Sequence, residues 1–309
     1  MATPDRLLED GQIVLLDGGV GSEIQRRGVA PDNKAWSGAS HVQHPDVVLQ
    51  IHRDYVAAGA DVITANTFAS APHILERMGL GESFEAINRS AIELAQRARD
   101  ETESADLWIA GAMSTIPPAD RPDAVPAGAE VADNLHRQAD VLARAGADLL
   151  LAEMMLDSAS ATIILDACLD TGLPVWVGIS ASFGSDGKSL QAFRAPGKYT
   201  AMRDEPLEDL MATVLSKGVA VAGVMHTKLP VMEPALAVLN RFWCGPKMAY
   251  AETGRAGIHD WSFDEAVPPD SYAAAARNWI GGFGVQIVGG CCGTGPEHIR
   301  ELNRTIRTV

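Results

Sequence analysis

The chain has 309 residues, of which 47% are hydrophobic and 21% charged, a composition typical of a globular protein with a large buried core. Acidic residues outnumber basic ones by 40 to 25, the formal net charge is −15, and no cluster of lysine or arginine stands out. Nucleic acid and anionic membrane surfaces are therefore not expected as partners. A cationic small-molecule substrate suits a protein of this charge.

The cysteine content and the amino-terminal residues indicate the cellular compartment in which the protein is expected. Residues 1–11 are polar, and no apolar stretch reaches the length of about 20 residues that a membrane-spanning helix needs. The cysteines are few and are not spaced as in a secreted disulfide framework: Cys168, Cys244, Cys291 and Cys292. We expect a cytoplasmic protein with reduced thiols, and the sequence leaves a homo-oligomer open.

Short apolar runs alternate with longer amphipathic stretches along the chain. The apolar runs predict eight strands, at residues 13–16, 62–65, 107–112, 149–152, 175–179, 219–224, 247–250 and 285–288. The amphipathic stretches predict helices at residues 45–58, 83–100, 129–145, 158–169, 207–216 and 270–280. Length alone allows two domains or one barrel, but eight β/α units predict an α/β fold, a (β/α)8 TIM barrel formed by residues 1–309 as a single domain.

Polar residues follow the predicted strands at their carboxyl ends. In a (β/α)8 barrel these ends meet at one mouth, where the active site is built. The longer connections, residues 114–128 and 180–205, are expected at the same mouth. The sequence therefore predicts one site surrounded by the following residues: Asp17 with Gly18 and Gly19, Asn66 with Thr67, Glu153, Ser180, His226, Glu252, and Cys291 with Cys292.

Two adjacent cysteines, Cys291 and Cys292, stand among glycines directly after the last predicted strand. Neighbouring strand residues point to opposite faces, so both thiols reach one point only if the chain leaves the strand there, which glycine permits. Two thiolates suit a soft divalent ion, and we predict zinc. Zinc needs at least one more protein ligand, for which His226 is favoured over Cys244, because Cys244 precedes its strand. Cys168 lies on an amphipathic helix and is expected in the core.

Two carboxylates are predicted at the same mouth, Asp17 and Glu153. A carboxylate that closes an apolar strand is costly to bury unless it is paired or lies in a polar pocket. The two together suit the ammonium group of an amino-acid substrate, although an aspartate before glycine, as at Asp17, is also common in turns. Gly18 and Gly19 would let the substrate approach the backbone, and Asn66 and Thr67 are predicted to bind substrate as well.

These motifs resemble those of the zinc-dependent homocysteine S-methyltransferases over nearly the whole chain. The resemblance is carried by residues 15–23, residues 58–68 and, most specifically, residues 289–294 followed by 296–299. It implies a (β/α)8 barrel in which three cysteines bind zinc and zinc binds the acceptor thiol as a thiolate. The family has Asn-Cys at the end of the sixth strand, where this chain has Met225-His226, so an imidazole stands in place of the third thiolate.

We therefore expect a zinc-dependent S-methyltransferase that moves a methyl group from a sulfonium or ammonium donor to a thiol acceptor, homocysteine or a related thiol. Zn²⁺ would be bound by His226, Cys291 and Cys292. Asp17 and Glu153 would hold the ammonium group of the acceptor.

Glu252 is expected to add negative charge near the cationic donor. Two alternatives remain open from the sequence. In the first, the same Cys2His zinc ion activates water or a carbonyl group in a hydrolase or lyase, with Glu252 or Glu153 as general base. In the second, the barrel binds a ligand or a metal without turnover.

Overall fold

The computed structural model describes residues 4–32, 34–102, 106–115, 128–193, 205–256, 261–262 and 266–306. Eight parallel strands form its centre: β1 (Val14–Leu15), β2 (Val62–Ala65), β3 (Trp108–Met113), β4 (Leu149–Met155), β5 (Val175–Phe183), β6 (Val221–Lys228), β7 (Lys247–Glu252) and β8 (Ile287–Val288). Each strand from β2 to β7 pairs with the strand that follows it in the chain, and β8 pairs with β1. A parallel bridge between Leu16 and Val62 joins β1 to β2. The predicted (β/α)8 barrel is confirmed.

All eight predicted strands are present, but their ends differ from the apolar runs. β4 to β7 continue beyond the predicted ends because backbone pairing with the neighbouring strands persists into the polar residues. Glu153, Ser180 and His226 therefore lie within strands rather than in the loops that follow. β1 and β8 are shorter than predicted, since regular pairing at this seam covers only two residues of each strand.

Helices surround the barrel. They are Pro4–Glu9, Val20–Arg26, Ser40–Gln43, Pro45–Ala58, Pro72–Arg77, Phe84–Glu101, Gly128–Ala145, Ser158–Leu169, Leu207–Leu215, Leu229–Phe242, Pro269–Phe283 and Pro296–Ile306, with a short 3-10 helix at Gly81–Ser83. Every predicted helix is present. Helix Leu229–Phe242 is not predicted from the sequence, since Pro234 lies inside it and interior proline disfavours a helix. Within the described residues, no helix combines the length and the apolar character needed to cross a membrane.

Successive strand residues alternate between the barrel interior and the surrounding helices. The interior cluster includes Leu16, Trp108 and Trp176, whereas Leu15 and Ile109 pack in the larger cluster with the helices. Both faces of each strand are therefore apolar. This explains why the strands read as continuous apolar runs in the sequence.

Two joints of similar sequence, residues 57–62 and 143–149, connect a helix to the next strand. Asp61 Oδ2 accepts a hydrogen bond from the backbone N–H of Leu15 at 2.8 Å, and Asp148 Oδ2 accepts one from Ile109 at 2.8 Å. Each aspartate thus ties the start of its own strand to the preceding strand. In both joints a glycine in the left-handed conformation ends the helix: Gly59 (φ 102°) and Gly146 (φ 95°).

The connection after β5 begins as a hairpin. β5 pairs antiparallel with Leu190–Ala192, which places the first part of this connection at the barrel mouth, as predicted. Residues 194–204 of the same connection and residues 116–127 of the other long connection lie outside the described residues.

His52 is fully buried in helix Pro45–Ala58, and neither of its ring nitrogens has a hydrogen-bond partner among the described residues. Burial, together with nearby His41, lowers the pKa of His52 from 6.5 to about 4. The unfolded chain binds a proton on this histidine below about pH 6.5, whereas the folded chain does not until about pH 4. The free energy of unfolding therefore falls as the pH drops through this window.

We expect a His52→Met variant, which fills the site with a side chain that does not titrate, to resist acid better. Between pH 7 and pH 5 its free energy of unfolding should fall by about 2 kcal/mol less than that of the wild type. Urea unfolding at the two pH values measures the difference. His44→Gln, a change at an exposed histidine, is the control and should behave like the wild type. An equal acid response of His52→Met and the wild type would rule out His52 as the cause.

Candidate metal centre

The three predicted metal ligands, His226 on β6 and Cys291 and Cys292 after β8, come together at the barrel mouth. Their ligand atoms all lie within 4.8 Å of one another. Cys291 Sγ is 3.5 Å from His226 Nδ1 and 3.9 Å from Cys292 Sγ. A tetrahedral zinc ion with ordinary bond lengths separates sulfur from nitrogen by about 3.6 Å and sulfur from sulfur by about 3.8 Å. The three side chains therefore fit a soft divalent ion such as zinc.

β6 is irregular at His226. The residue has φ +42°, and the pairing of β6 with β7 shifts register between Met225 and Lys228. A left-handed backbone is uncommon outside glycine and costs about 1–3 kcal/mol. β4 has the same kind of irregularity at Met154, where φ is +55°. Both distortions occur next to predicted site residues, which is where β-bulges commonly re-aim side chains.

The loop that carries the cysteines is fixed from two sides. Gly290 N donates to the backbone oxygen of Asp17 at 2.9 Å, which attaches the loop to the end of β1. The hydroxyl of Tyr272 donates to Gly289 O at 2.7 Å and accepts from the N–H of Ala251 on β7 at 2.9 Å. The positions of the two sulfurs are thus set by the strands on either side of β8.

Gly18 and Gly19 pack against the cysteine loop. A Cβ atom on Gly18 would lie 2.5 Å from Thr294 O, and one on Gly19 would lie 2.7 Å from Cys291 O. The absence of side chains at these two positions is therefore required for the turn after β1 to approach the loop. Their predicted part in substrate approach stays a prediction.

The donor groups influence one another's protonation. The hydrogen bonds from Cys292 and His226 hold the pKa of Cys291 well below its ordinary value, against the effect of burial. The same contact between the two sulfurs, together with burial, raises the pKa of Cys292. Burial lowers the pKa of His226, but the Cys291 thiolate and the Glu252 carboxylate outweigh it and raise the pKa overall. Metal binding requires deprotonated sulfurs and a neutral imidazole, so it would release protons from this cluster.

Glu252, at the end of β7, contacts the imidazole of His226. Glu252 Oε2 is 3.6 Å from His226 Nδ1, and the two side chains are 5% and 8% exposed. Burial raises the pKa of Glu252, and His226 opposes the rise. Phe193 packs edge-on against the same imidazole, with ring centroids 5.0 Å apart. The sequence predicts Glu252 at the mouth but carries no signal for this contact, because the contact depends on the distortion of β6.

Of the two predicted substrate carboxylates, Asp17 is buried and Glu153 is partly buried. Asp17 accepts hydrogen bonds from the N–H and the hydroxyl of Thr64 at 2.7 and 2.8 Å, yet burial raises the pKa of Asp17 to about 7. Glu153 Oε1 accepts from the hydroxyl of Tyr250 at 3.3 Å. Burial and the negative charges of Cys291 and Asp17 raise the pKa of Glu153 well above its ordinary value. A cation bound near both carboxylates would favour their ionised forms.

Asn66 and Thr67, the other predicted substrate-binding residues, are engaged with the protein itself. The amide of Asn66 donates to Ser37 O at 2.8 Å, and the hydroxyl of Thr67 donates to Ala112 O at 2.7 Å. These bonds hold the turn after β2 against its neighbours. A role of the two residues in substrate binding stays a prediction.

The remaining cysteines do not join the metal ligands. Cys168 is buried in helix Ser158–Leu169, with its sulfur 3.7 Å from that of Met113, and burial raises its pKa to about 12. Cys244 is exposed ahead of β7. Both lie where the sequence predicts them.

The homocysteine S-methyltransferase family model matches residues 14–306. Homocysteine S-methyltransferase YbgG of Bacillus subtilis is 25% identical over 98% of this chain and 97% of its own. Betaine–homocysteine S-methyltransferase 1 of Rattus norvegicus is 27% identical over 96% of this chain and 72% of its own.

Among solved structures, the metallated form of the homocysteine methyltransferase MmuM from Escherichia coli superposes with a TM-score of 0.75. It is 23% identical, and the match covers 98% of this chain and 99% of MmuM. This likeness shows a shared fold. Because the family model extends from the first barrel strand to the last helix, the chain belongs to the homocysteine S-methyltransferase family, a family of transferases.

Proposed function

We propose that the protein transfers a methyl group from a cationic donor to the sulfur of homocysteine or a closely related thiol, with a zinc ion held by His226, Cys291 and Cys292. The observation that carries the proposal is the cluster of three soft donor atoms at the barrel mouth of a homocysteine S-methyltransferase family member. When bound, zinc keeps the acceptor sulfur deprotonated at neutral pH, where a free alkyl thiol is mostly protonated.

Asp17 and Glu153 bind the α-ammonium group of the acceptor in this proposal. Loss of contact with water raises the pKa values of both carboxyl groups, and an ammonium group bound beside them would offset the cost of ionising them. Tyr250 orients Glu153 by its hydrogen bond. The backbone bond between Asp17 and Gly290 keeps the ammonium site at a fixed position relative to the cysteine loop.

The transfer itself exchanges one bond for another. A carbon–sulfur bond forms at the acceptor, and the bond between the methyl group and the donor sulfur or nitrogen breaks, with its electron pair left on the donor. The acceptor thiol gives up its proton to the solvent when it binds, and the donor loses its positive charge in the transfer. A buried carboxylate at the mouth, Glu252, and the net charge of −15 both favour the approach of a cationic donor.

Zinc suits the site better than a hard cation does, because thiolate and imidazole are soft ligands whereas magnesium and calcium prefer oxygen. A cytoplasmic location, where thiols are kept reduced, belongs to the same proposal. The family match does not support the alternative of a hydrolase or lyase.

The function is tested with purified zinc-loaded protein, homocysteine and one of two methyl donors, S-methylmethionine or glycine betaine. The homocysteine carries deuterium on its carbon chain, so mass spectrometry distinguishes the labelled methionine formed from it from the methionine that S-methylmethionine leaves after transfer. We expect labelled methionine with one of the two donors. A protein that holds about one zinc ion per chain but forms no labelled methionine with either donor would contradict methyl transfer from a sulfonium or ammonium donor to homocysteine.

The metal ligands are tested by replacing their sulfurs. Cys291→Ser and Cys292→Ser each remove one thiolate, so we expect both variants to lose zinc during gel filtration and to lose methyl transfer. Zinc content is measured by mass spectrometry of the eluted protein. Cys244→Ser, a change at an exposed cysteine, should retain the zinc of the wild type. Stoichiometric zinc in Cys291→Ser would refute the assigned site.

The ammonium site is tested with Glu153→Gln. Loss of a hydrogen bond to a charged group costs about 1.5–3 kcal/mol, so the KM for homocysteine should rise roughly 10- to 150-fold, with a smaller change in kcat. The matched substrate is 4-mercaptobutanoate, which is homocysteine without its amino group. Wild type and variant should use it equally poorly. If Glu153→Gln affected both thiols alike, Glu153 would not bind the ammonium group.

A further inference from the structure

The pair formed by Glu252 and His226 is not explained by metal ligation alone. The two side chains are almost fully buried, and Glu252 Oε2 lies 3.6 Å from His226 Nδ1. Burial of a carboxylate is costly unless an opposite charge or hydrogen bonds offset the loss of water. The same nitrogen of His226 is 3.5 Å from Cys291 Sγ. The carboxylate therefore lies beside the nitrogen that faces the sulfurs and would bind the metal ion, where it acts by its charge rather than by a hydrogen bond.

The charge of the ligand set indicates what this carboxylate does. Two thiolates balance the two positive charges of a zinc ion, and a neutral imidazole adds no charge, so a set of two cysteines and one histidine is neutral. A thiolate at position 226 would have made the set negative. A carboxylate 3.6 Å from His226 Nδ1, in a buried site where charges are poorly screened, restores one negative charge.

We propose that Glu252 supplies, from beside the imidazole of His226, the negative charge that a thiolate ligand at position 226 would have brought to the metal ion. His226 and Glu252 together then serve as one anionic ligand unit. The inference rests on the proposed function for the identity of the metal ion. Loss of a group that surrounds the ligands of a metal site typically weakens metal binding roughly 10- to 100-fold.

The geometry distinguishes this role from direct ligation. The ligand atoms of His226, Cys291 and Cys292 lie within 4.8 Å of one another, and no oxygen of Glu252 belongs to that group. Glu252 is in contact with the imidazole but stands outside the group formed by the imidazole and both sulfurs. Glu252 is therefore not counted among the metal ligands.

A double-mutant cycle tests the proposal. The proteins are the wild type, Glu252→Gln, His226→Cys and the double variant, and the measured quantity is zinc affinity, obtained by competition with a chromophoric chelator in the absence of substrate. Glu252→Gln should weaken zinc binding roughly 10- to 100-fold in the wild-type background. In the His226→Cys background the same change should have an effect of less than about 3-fold, because the added thiolate brings its own charge.

Two outcomes would overturn the proposal. Equal weakening in both backgrounds would identify Glu252 as a direct ligand, and no weakening in either would make the contact with His226 purely structural. Glu93→Gln, a change at an exposed glutamate of helix Phe84–Glu101, is the matched control and should bind zinc like the wild type. Zinc affinity is measured without substrate. The effect of Glu252 on zinc binding can therefore be determined even if the protein does not transfer methyl groups.

A further variant covers the case in which His226→Cys does not fold. Glu252→Asp keeps the carboxylate on a shorter side chain, so it should retain more zinc affinity than Glu252→Gln, which is closer in size but uncharged. Circular dichroism of the zinc-free proteins checks that both variants are folded. Equal zinc affinities of Glu252→Asp and Glu252→Gln would show that the charge is not what matters, and the proposal would fail.

Discussion

The seam between β8 and β1 is the constraint on which the candidate site depends. Regular pairing covers only two residues of each strand, after which the chain leaves β8 at Gly289 and Gly290 and returns toward the end of β1. The hydrogen bond from Gly290 to Asp17 extends this junction beyond the paired residues and places the cysteine loop beside the first carboxylate. The junction of β8 with β1 therefore contributes to the closure of the sheet and also fixes the candidate metal ligands relative to Asp17.

The sulfur of Met225 links the two irregular strands of the site. It accepts a hydrogen bond from Met154 N at 3.2 Å and one from the hydroxyl of Ser180 at 3.3 Å. Met154 follows Glu153, and Met225 precedes His226, so the two left-handed residues on β4 and β6 are held in relation to one another. The strain at these positions is tolerated because the barrel beneath them is filled with large apolar side chains.

The sequence predicts the barrel and the edge at which the site lies, because both follow from simple periodicities. Continuous apolar runs identify strands that are buried on both faces, and polar residues at their ends identify the mouth. Contacts between distant elements are not encoded in this way. The bond from Tyr272 to Gly289 and the contact of Glu252 with His226 depend on how a helix lies against the barrel and on where a strand bulges. No local pattern of residues specifies either feature.

The proposed chemistry also explains why so many anionic groups converge on one mouth. Before transfer, the site must hold three cations: the metal ion, the ammonium group of the acceptor and the donor. Asp17, Glu153, Glu252 and the cysteine thiolates supply the opposite charges, and in the absence of these cations burial keeps the carboxyl pKa values raised. Transfer removes the charge of the donor, and a thioether is a weaker metal ligand than a thiolate. Both products are therefore held less tightly than the substrates, and release follows from the change in charge itself.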